Sequence, residues 1–191
     1  MDIVVGQRVA PQVIFAGPMG VGKTTAMRAV SGPEKLEMDV RSLEANQEMR
    51  AHGKTTTTAG FDYGECSLPD GRSVVLYGLP GQERFELMWN MLTPGSAGIV
   101  LWVFGDRADG GEICAAWLRA LARRHACTRL VVAVSRLALA QRDEGVRAFA
   151  ALARHFHPHA AVLAADPRAP EDVMQTLAAV LSAPAARFLA G

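Results

Sequence analysis

The chain has 191 residues, of which 50% are hydrophobic, and its 20 basic and 19 acidic residues leave a net charge of +1. This length supports one well-packed domain, so residues 1–191 are expected to form a single unit with a core at about 9–182. The balanced charge suggests neither a basic nucleic-acid surface nor an acidic tail.

The cysteines and the apolar runs predict where the protein works. Cys66, Cys114 and Cys127 are an odd number without metal-ligand spacing, which favours free thiols in a reducing cytoplasm. The most apolar run, residues 97–104, is much shorter than the roughly 20 residues that span a bilayer. No signal-peptide pattern or prenylation cysteine is visible. We expect a cytoplasmic protein without a membrane anchor of its own, which would reach a membrane only through a partner.

Apolar, β-branched runs alternate along the chain with amphipathic, alanine-rich segments. This alternation predicts an α/β fold, in which a largely parallel sheet is covered by helices on both faces. Strands are predicted at residues 9–16, 59–68, 73–79, 98–104, 129–134 and 160–164, and helices at 22–31, 84–93, 110–126, 141–156 and 169–182. The link LPDGR at 68–72 is too short for a helical crossover, so its two strands should pair antiparallel. The long irregular stretch 32–58 is typical of a functional or disordered loop.

The first predicted strand is followed by GPMGVGKTT, residues 17–25, which matches the pattern G-x-x-x-x-G-K-[ST]. Glycines at this spacing let backbone N–H groups surround an anion, the next helix adds its positive end, and the lysine reaches the phosphates. A chance glycine-rich turn is the alternative, but the position between a strand and a helix favours a phosphate loop. The predicted nucleotide-binding residues here are Gly17, Gly20, Val21, Gly22, Lys23, Thr24 and Thr25, and Thr24 is also predicted to bind Mg²⁺.

Two further stretches, KTTTTAGFDYGE at 54–65 and YGLPGQERFELMW at 77–89, carry a family resemblance. With the phosphate loop, they resemble the bacterial Ras-like small GTPases related to MglA and to the D proteins of actinobacterial conservons. The resemblance spans about residues 10–182. It implies a six-stranded P-loop domain with strand order 2-3-1-4-5-6, strand 2 antiparallel, that binds Mg²⁺ with GTP or GDP.

The resemblance also assigns roles to single residues. Thr58 would hold Mg²⁺ and the γ-phosphate, and the N–H of Gly81 would donate to that phosphate. Gln82 would orient the attacking water, since positioning matters more than proton abstraction in this hydrolysis. Arg84 is a candidate arginine finger, although a surface position is equally compatible with the sequence.

The sequence departs from the family at the metal and at the transition state. Gly78 stands where most members have the aspartate that holds the water shell of the metal. Metal binding would then depend on Thr24, Thr58 and the phosphates. Met19 occupies a position that is usually glycine where an external arginine finger enters, which predicts slow intrinsic turnover.

The loop that recognises guanine in the family departs as well. The family has Asn-Lys-x-Asp, whereas this chain has Ser135, Arg136, Leu137 and Ala138. Arg136 is expected to stack on a purine, and backbone N–H groups near Ala165 and Asp166 could donate to the guanine O6. Without a carboxylate at 138 we predict relaxed base choice, and Ser135, Arg136 and Ala165 complete the predicted nucleotide-binding set.

These observations favour a nucleotide-dependent molecular switch that binds Mg²⁺–GTP, hydrolyses it slowly and signals to a protein partner. The resemblance implies a Roadblock/LC7 protein as that partner. Part of the aromatic and methionine cluster on helix 84–93 is expected to contact a partner. The alternative is a pseudo-GTPase, an interaction module with weak or no nucleotide binding. A small-molecule kinase is a third reading, in which PGQERF has no role. A metal site at His155, His157 and His159 is disfavoured because Pro158 breaks the helix.

Overall fold

The computed structural model describes residues 10–31, 62–79, 96–123 and 127–189. The strands are β1 (Gln12–Ala16), β2 (Asp62–Ser67), β3 (Ser73–Gly78), β4 (Ser96–Phe104), β5 (Cys127–Thr128), β6 (Leu130–Ser135), β7 (Ala161–Ala164) and β8 (Ala186–Arg187). The helices are α1 (Lys23–Ser31), α2 (Gly110–Ala122), α3 (Arg142–Phe156) and α4 (Pro170–Ser182), with a 3₁₀ turn at Leu139–Gln141. The predicted helix 84–93 lies outside the described residues.

The main sheet has six strands in the order β2-β3-β1-β4-β6-β7, and only β2 runs antiparallel to its neighbour. Because the short strand β5 is not part of this sheet, β6 and β7 are its fifth and sixth strands in chain order. The predicted order 2-3-1-4-5-6 is therefore confirmed. The central strands are apolar throughout because helices cover both of their faces. β6, for example, is buried at every position.

The β2–β3 hairpin is built by its turn. Gly71 has a φ of 82°, and its N–H donates to the carbonyl of Leu68 over 2.9 Å. Asp70 accepts from the backbone N–H of Arg72 at 3.1 Å, which is a local Asx-type contact. The resulting register pairs Ser67 with Ser73 and continues until Asp62 lies opposite Gly78.

The sheet separates two apolar layers. On one face, α2 and α3 bury residues such as Leu118 and Phe149 against β4 and β6. On the other face, α1 and α4 bury Met27 and Leu177, together with the fully buried Trp102 of β4. Helices on both faces of the sheet leave the loops at the ends of the parallel strands as the place for a site.

A small second sheet pairs β5 with β8 and was not predicted. His157 is fully buried beside it, and its Nε2 donates to the carbonyls of Thr128 at 3.1 Å and Ala186 at 3.3 Å. Burial lowers the pKa of His157, so the neutral ring is favoured. This histidine therefore ties the C-terminal segment to the base of β6.

Cys66 and Cys114 are buried free thiols, as predicted for both. Burial raises the pKa of Cys114 to about 12, which keeps it protonated. Within the parts of the chain that the structure covers, no helix is both long and apolar enough to cross a bilayer.

Candidate functional site

Three loops meet at the carboxyl ends of β1, β6 and β7. They enclose a cavity of 680 Å³ that extends from the glycine-rich loop after β1 to the segments after β6 and β7. The predicted site residues that line it are Gly20, Val21, Gly22, Thr25, Arg136 and Ala165. Clefts at this edge of open α/β sheets are the usual ligand sites of such folds.

The glycine-rich loop is packed tightly against the sheet. Gly17 has a φ of 133°, and a methyl carbon placed on it would lie 2.1 Å from the carbonyl oxygen of Trp102. Only glycine fits at such a contact. The Lys23 ammonium lies inside the loop, where it donates to the carbonyls of Gly17 at 2.7 Å and Pro18 at 2.9 Å.

Lys23 is 8% exposed, and its environment changes its titration. Burial lowers the pKa of Lys23 from 10.5 to about 8, while the nearby Asp62 carboxylate raises it by a smaller amount. A cation that has lost hydration in this way is stabilised by an incoming anion. The loop thus holds a partly desolvated positive charge against its own carbonyls.

Asp62 is the functional candidate that the sequence analysis missed. Its Oδ2 accepts a hydrogen bond of 2.5 Å from the Thr24 hydroxyl. It lies opposite Gly78, where an added Cβ would be 3.0 Å from the Asp62 Cβ and 3.2 Å from its Oδ2. The Met27 Sδ would be closer still, at 2.7 Å, so the Asp62 carboxylate and the Met27 sulfur together border the space beside Gly78.

The hairpin could have revealed this pairing. A turn centred on Asp70 and Gly71 sets a register in which each step backward along β2 matches a step forward along β3. Extended from Ser67 and Ser73, that register places Asp62 opposite Gly78. Asp62 is therefore a further candidate for the metal site, beside the predicted Thr24 and Thr58.

Arg136 connects the loop after β6 to the phosphate loop. It has a φ of 60°, which is unusual for a residue other than glycine, and its Nη2 donates to the Gly20 carbonyl at 2.8 Å. One face of its guanidinium lies over the Phe104 ring, with 4.9 Å to the ring centroid. Arg136 therefore lines the cavity with one face of its guanidinium covered by Phe104.

Ser135 has a different environment from the one its predicted role suggests. It is fully buried, it donates to the Val103 carbonyl at 3.0 Å, and it is not part of the cavity lining. It joins the ends of β4 and β6, so its described contact is with the scaffold.

The backbone N–H groups after β7 already have partners inside the protein. That of Ala165 donates to the Val134 carbonyl at 3.0 Å, and that of Asp166 donates to a carboxylate oxygen of Asp172 at 2.8 Å. Arg168 donates its N–H to Asp166 at 2.9 Å. The expectation that N–H groups near Ala165 and Asp166 are available to a guanine O6 does not agree with this arrangement.

The phosphate loop and the loop after β7 are in contact at one side of the cavity. A methyl carbon on Gly22 would lie 2.6 Å from the Pro167 side chain, so the phosphate loop and the loop after β7 touch. Arg142, which also lines the cavity, begins α3 one turn after Ala138. The predicted residues Thr58, Gly81, Gln82 and Arg84 lie outside the described ranges, and their roles stay predictions.

Comparison with solved structures places this geometry in a known fold. The chain is similar to a bacterial selenocysteine-specific elongation factor, EF-Sec, with a TM-score of 0.62 and 13% identity over 90% of this chain. It is also similar to the cytosolic domain of the T. maritima FeoB iron transporter in its GMPPNP form, with a TM-score of 0.57 and 15% identity, again over 90% of this chain. The chain has a P-loop GTPase fold.

The likeness extends to the fold and no further. The matched regions make up 28% of the EF-Sec chain and 62% of the FeoB chain. Neither a protein-family model nor a curated protein matches the sequence.

Proposed function

We propose that the protein is a Ras-like molecular switch that binds a Mg²⁺–nucleoside triphosphate, hydrolyses it slowly and signals its state to a protein partner. The observation that carries this proposal is the placement of Lys23 inside the loop, buried and partly desolvated, next to the Thr24–Asp62 pair. A chance glycine-rich turn would not bury a lysine at this position.

The oxygen groups beside the loop fit Mg²⁺, which prefers a few hard oxygen ligands and keeps several of its waters. Thr24 donates its proton to Asp62, so the lone pairs of its hydroxyl oxygen are free for a cation. Asp62 would accept hydrogen bonds from the metal's water. When bound, the metal neutralises charge on the β- and γ-phosphates.

The described residues contribute binding and charge to the reaction. Lys23 would hold the phosphates, and the inward N–H groups of the loop would fix their position. Thr58, Gly81 and Gln82 would complete the site from the two segments between β1 and β4, with Arg84 as a candidate arginine finger. Slow turnover follows from Met19, which is 69% exposed and stands where an external arginine would approach.

GTP and GDP are the proposed ligands by analogy with the fold, with the base choice relaxed by Ala138. The proposed partner is a Roadblock/LC7 protein acting as activator or effector, and the cytoplasm is the proposed location, with any membrane recruitment through that partner. The resemblance in the switch sequences supports these proposals.

Calorimetric titration of Mg²⁺–nucleotides tests the proposal directly. Lys23→Ala should weaken triphosphate binding by about 10- to 150-fold, because it removes a charge-assisted contact. Arg28→Ala is the matched control, because Arg28 is an exposed cation on the same helix. Binding by Lys23→Ala as tight as that of the wild type would overturn the phosphate-loop assignment.

A pseudo-GTPase is the second candidate. The backbone N–H groups of Ala165 and Asp166 favour it, because both are hydrogen-bonded within the protein. It predicts an interaction module that binds nucleotide weakly and does not hydrolyse it. Single-turnover rates of the wild type, with and without a Roadblock/LC7 protein, separate the two candidates. Rates at background level in both conditions would select the pseudo-GTPase.

A further inference from the structure

The end of the cavity lined by Ala138, Arg142 and Asp166 is here called the base end. The carboxylates near it already have hydrogen-bond partners within the protein. Both oxygens of Asp166 are held by Arg168, whose Nε donates to Oδ1 at 2.9 Å and whose Nη2 donates to Oδ2 at 2.7 Å. These contacts lower the pKa of Asp166 to about 2. Asp172 accepts from the Asp166 N–H and lies outside the cavity lining. Asp166 is therefore engaged within the protein, and Asp172 is not part of the surface that a base in the cavity would contact.

Arg142 also lines this end, and among its described contacts it has a long ion pair with Asp172 but no short hydrogen bond to a carboxylate. Its Nε is buried without a hydrogen bond, and its Nη2 lies 4.0 Å from an Asp172 oxygen. A guanidinium has five N–H donors and no acceptor. Turning these donors toward a ligand would break no short hydrogen bond, and it would pair a donor whose burial is otherwise unfavourable.

Arg142 also lies on the correct side of the cavity. It follows Ala138 by four residues, and the intervening turn is closed by the Gln141 N–H donating to the Ala138 carbonyl at 2.9 Å. Both Ala138 and Arg142 line the cavity. A base stacked on Arg136 would therefore present its outer edge to an alanine methyl and a guanidinium.

Guanine is a poor match where the N1–C2 side of its edge faces Arg142. The N1–H and the 2-amine on that side are donors, and they would face the donors of Arg142, whereas the guanine acceptors O6 and N7 lie farther along the base. A base whose outer edge carries acceptors, such as adenine with its ring nitrogen N1, would be paired by the guanidinium. Specificity of this kind depends as much on the unpaired groups of the wrong ligand as on contacts with the correct one.

We propose that Arg142 reads the base, so the site selects nucleoside triphosphates with an acceptor-bearing base edge and disfavours guanine. This inference rests on the proposed function, because it requires a triphosphate in the loop below. It goes beyond relaxed base choice, since it predicts a reversed preference and names the residue that causes it.

Three purine triphosphates that differ at C2 provide the test. GTP carries an amine donor there, ITP carries a hydrogen, and XTP carries a carbonyl acceptor. For the wild type we expect XTP to bind about 10- to 100-fold more tightly than GTP, with ITP between them and ATP at least as tight as GTP. Affinities are measured by calorimetry with Mg²⁺ present.

Two variants assign the preference to this residue. Arg142→Leu should bring XTP, ITP and GTP to within about threefold of one another, while Arg142→Lys keeps the charge and should give an intermediate ratio. Arg147→Leu is the control, since Arg147 is an exposed arginine on the same helix and does not line the cavity. It should preserve the wild-type order, and circular dichroism verifies that each variant folds.

Inorganic triphosphate separates this inference from the proposed function. If Mg²⁺–triphosphate binds and GTP is the tightest nucleotide, the reading by Arg142 is wrong while the phosphate site stands. An unchanged XTP preference in Arg142→Leu would also overturn it. If neither inorganic triphosphate nor any nucleotide binds, the proposed function and this inference both fail.

Discussion

The phosphate loop and the base end of the neighbouring cavity differ in the polar groups that they present. Beside the phosphate loop, the Asp62 carboxylate of β2 lies opposite Gly78 and accepts a hydrogen bond from Thr24. At the base end, position 138 is an alanine, the Asp166 carboxylate is held by Arg168, and the N–H groups of Ala165 and Asp166 are bound within the protein.

The difference has a physical origin. Phosphates and a metal require charge at a fixed place, and antiparallel pairing brings β2 close enough to supply it. Recognition of a base edge depends on directional hydrogen bonds from loops, where one substitution changes the pattern. We therefore expect the phosphate end to tolerate little change and the base end to be convertible.

Gly17→Ala should have the largest effect, because the added methyl would overlap the Trp102 carbonyl at 2.1 Å. We expect a loss of about 3 kcal/mol or more in the free energy of unfolding, measured by urea denaturation. Gly20→Ala is the matched control, since it has a φ of 76° but nothing within 4 Å. It should cost only about 1–2 kcal/mol of left-handed strain. Equal losses in the two variants would contradict the close approach at Gly17.

Asp62→Asn should weaken the effect of magnesium. Removing the charge beside Thr24 should reduce the gain in triphosphate affinity that Mg²⁺ provides by about 10-fold or more. The readout is nucleotide affinity with and without Mg²⁺, and Glu65→Gln on the same strand is the control. A magnesium effect equal to that of the wild type would remove Asp62 from the metal site.

Triphosphate affinity should fall as the pH rises above about 8. The free protein loses the Lys23 proton near that pH, whereas a bound triphosphate keeps the ammonium charged, so binding then requires proton uptake. The affinity should fall by up to about tenfold per pH unit, measured by calorimetry between about pH 7 and about pH 9. Lys23→Arg, which stays charged throughout, should show a flat profile if it binds. A flat wild-type profile would show that Lys23 does not titrate in this range.

Ala138→Asp tests the base end, and its effect on nucleotide affinity is the smallest of those predicted. A new carboxylate there can accept from the guanine edge and can also pair with Arg142. We expect the ratio of GTP to ATP affinity to rise by about 10-fold, while the affinity for inorganic triphosphate stays the same. If the ratio does not move, the loop after β6 does not face the base.

Much of the fold could be predicted, because it follows from local patterns. The strands β1, β4 and β6 are uninterrupted apolar runs, and the turn at Asp70 and Gly71 required an antiparallel pair. The strand order was predicted correctly through the family resemblance. The sheet of β5 and β8 was missed because each strand has two residues and no periodicity to detect.

The sequence by itself determined the phosphate loop, since the spacing of Gly17, Gly22, Lys23 and Thr24 is set by backbone geometry within one turn. Tertiary structure alone decided what surrounds it. Asp62 contacts Thr24 across 38 residues of chain, and the Ala165 N–H is bound by the carbonyl of Val134 on the neighbouring strand β6. A local motif records which groups can bind, whereas long-range packing decides which of those groups remain free to do so.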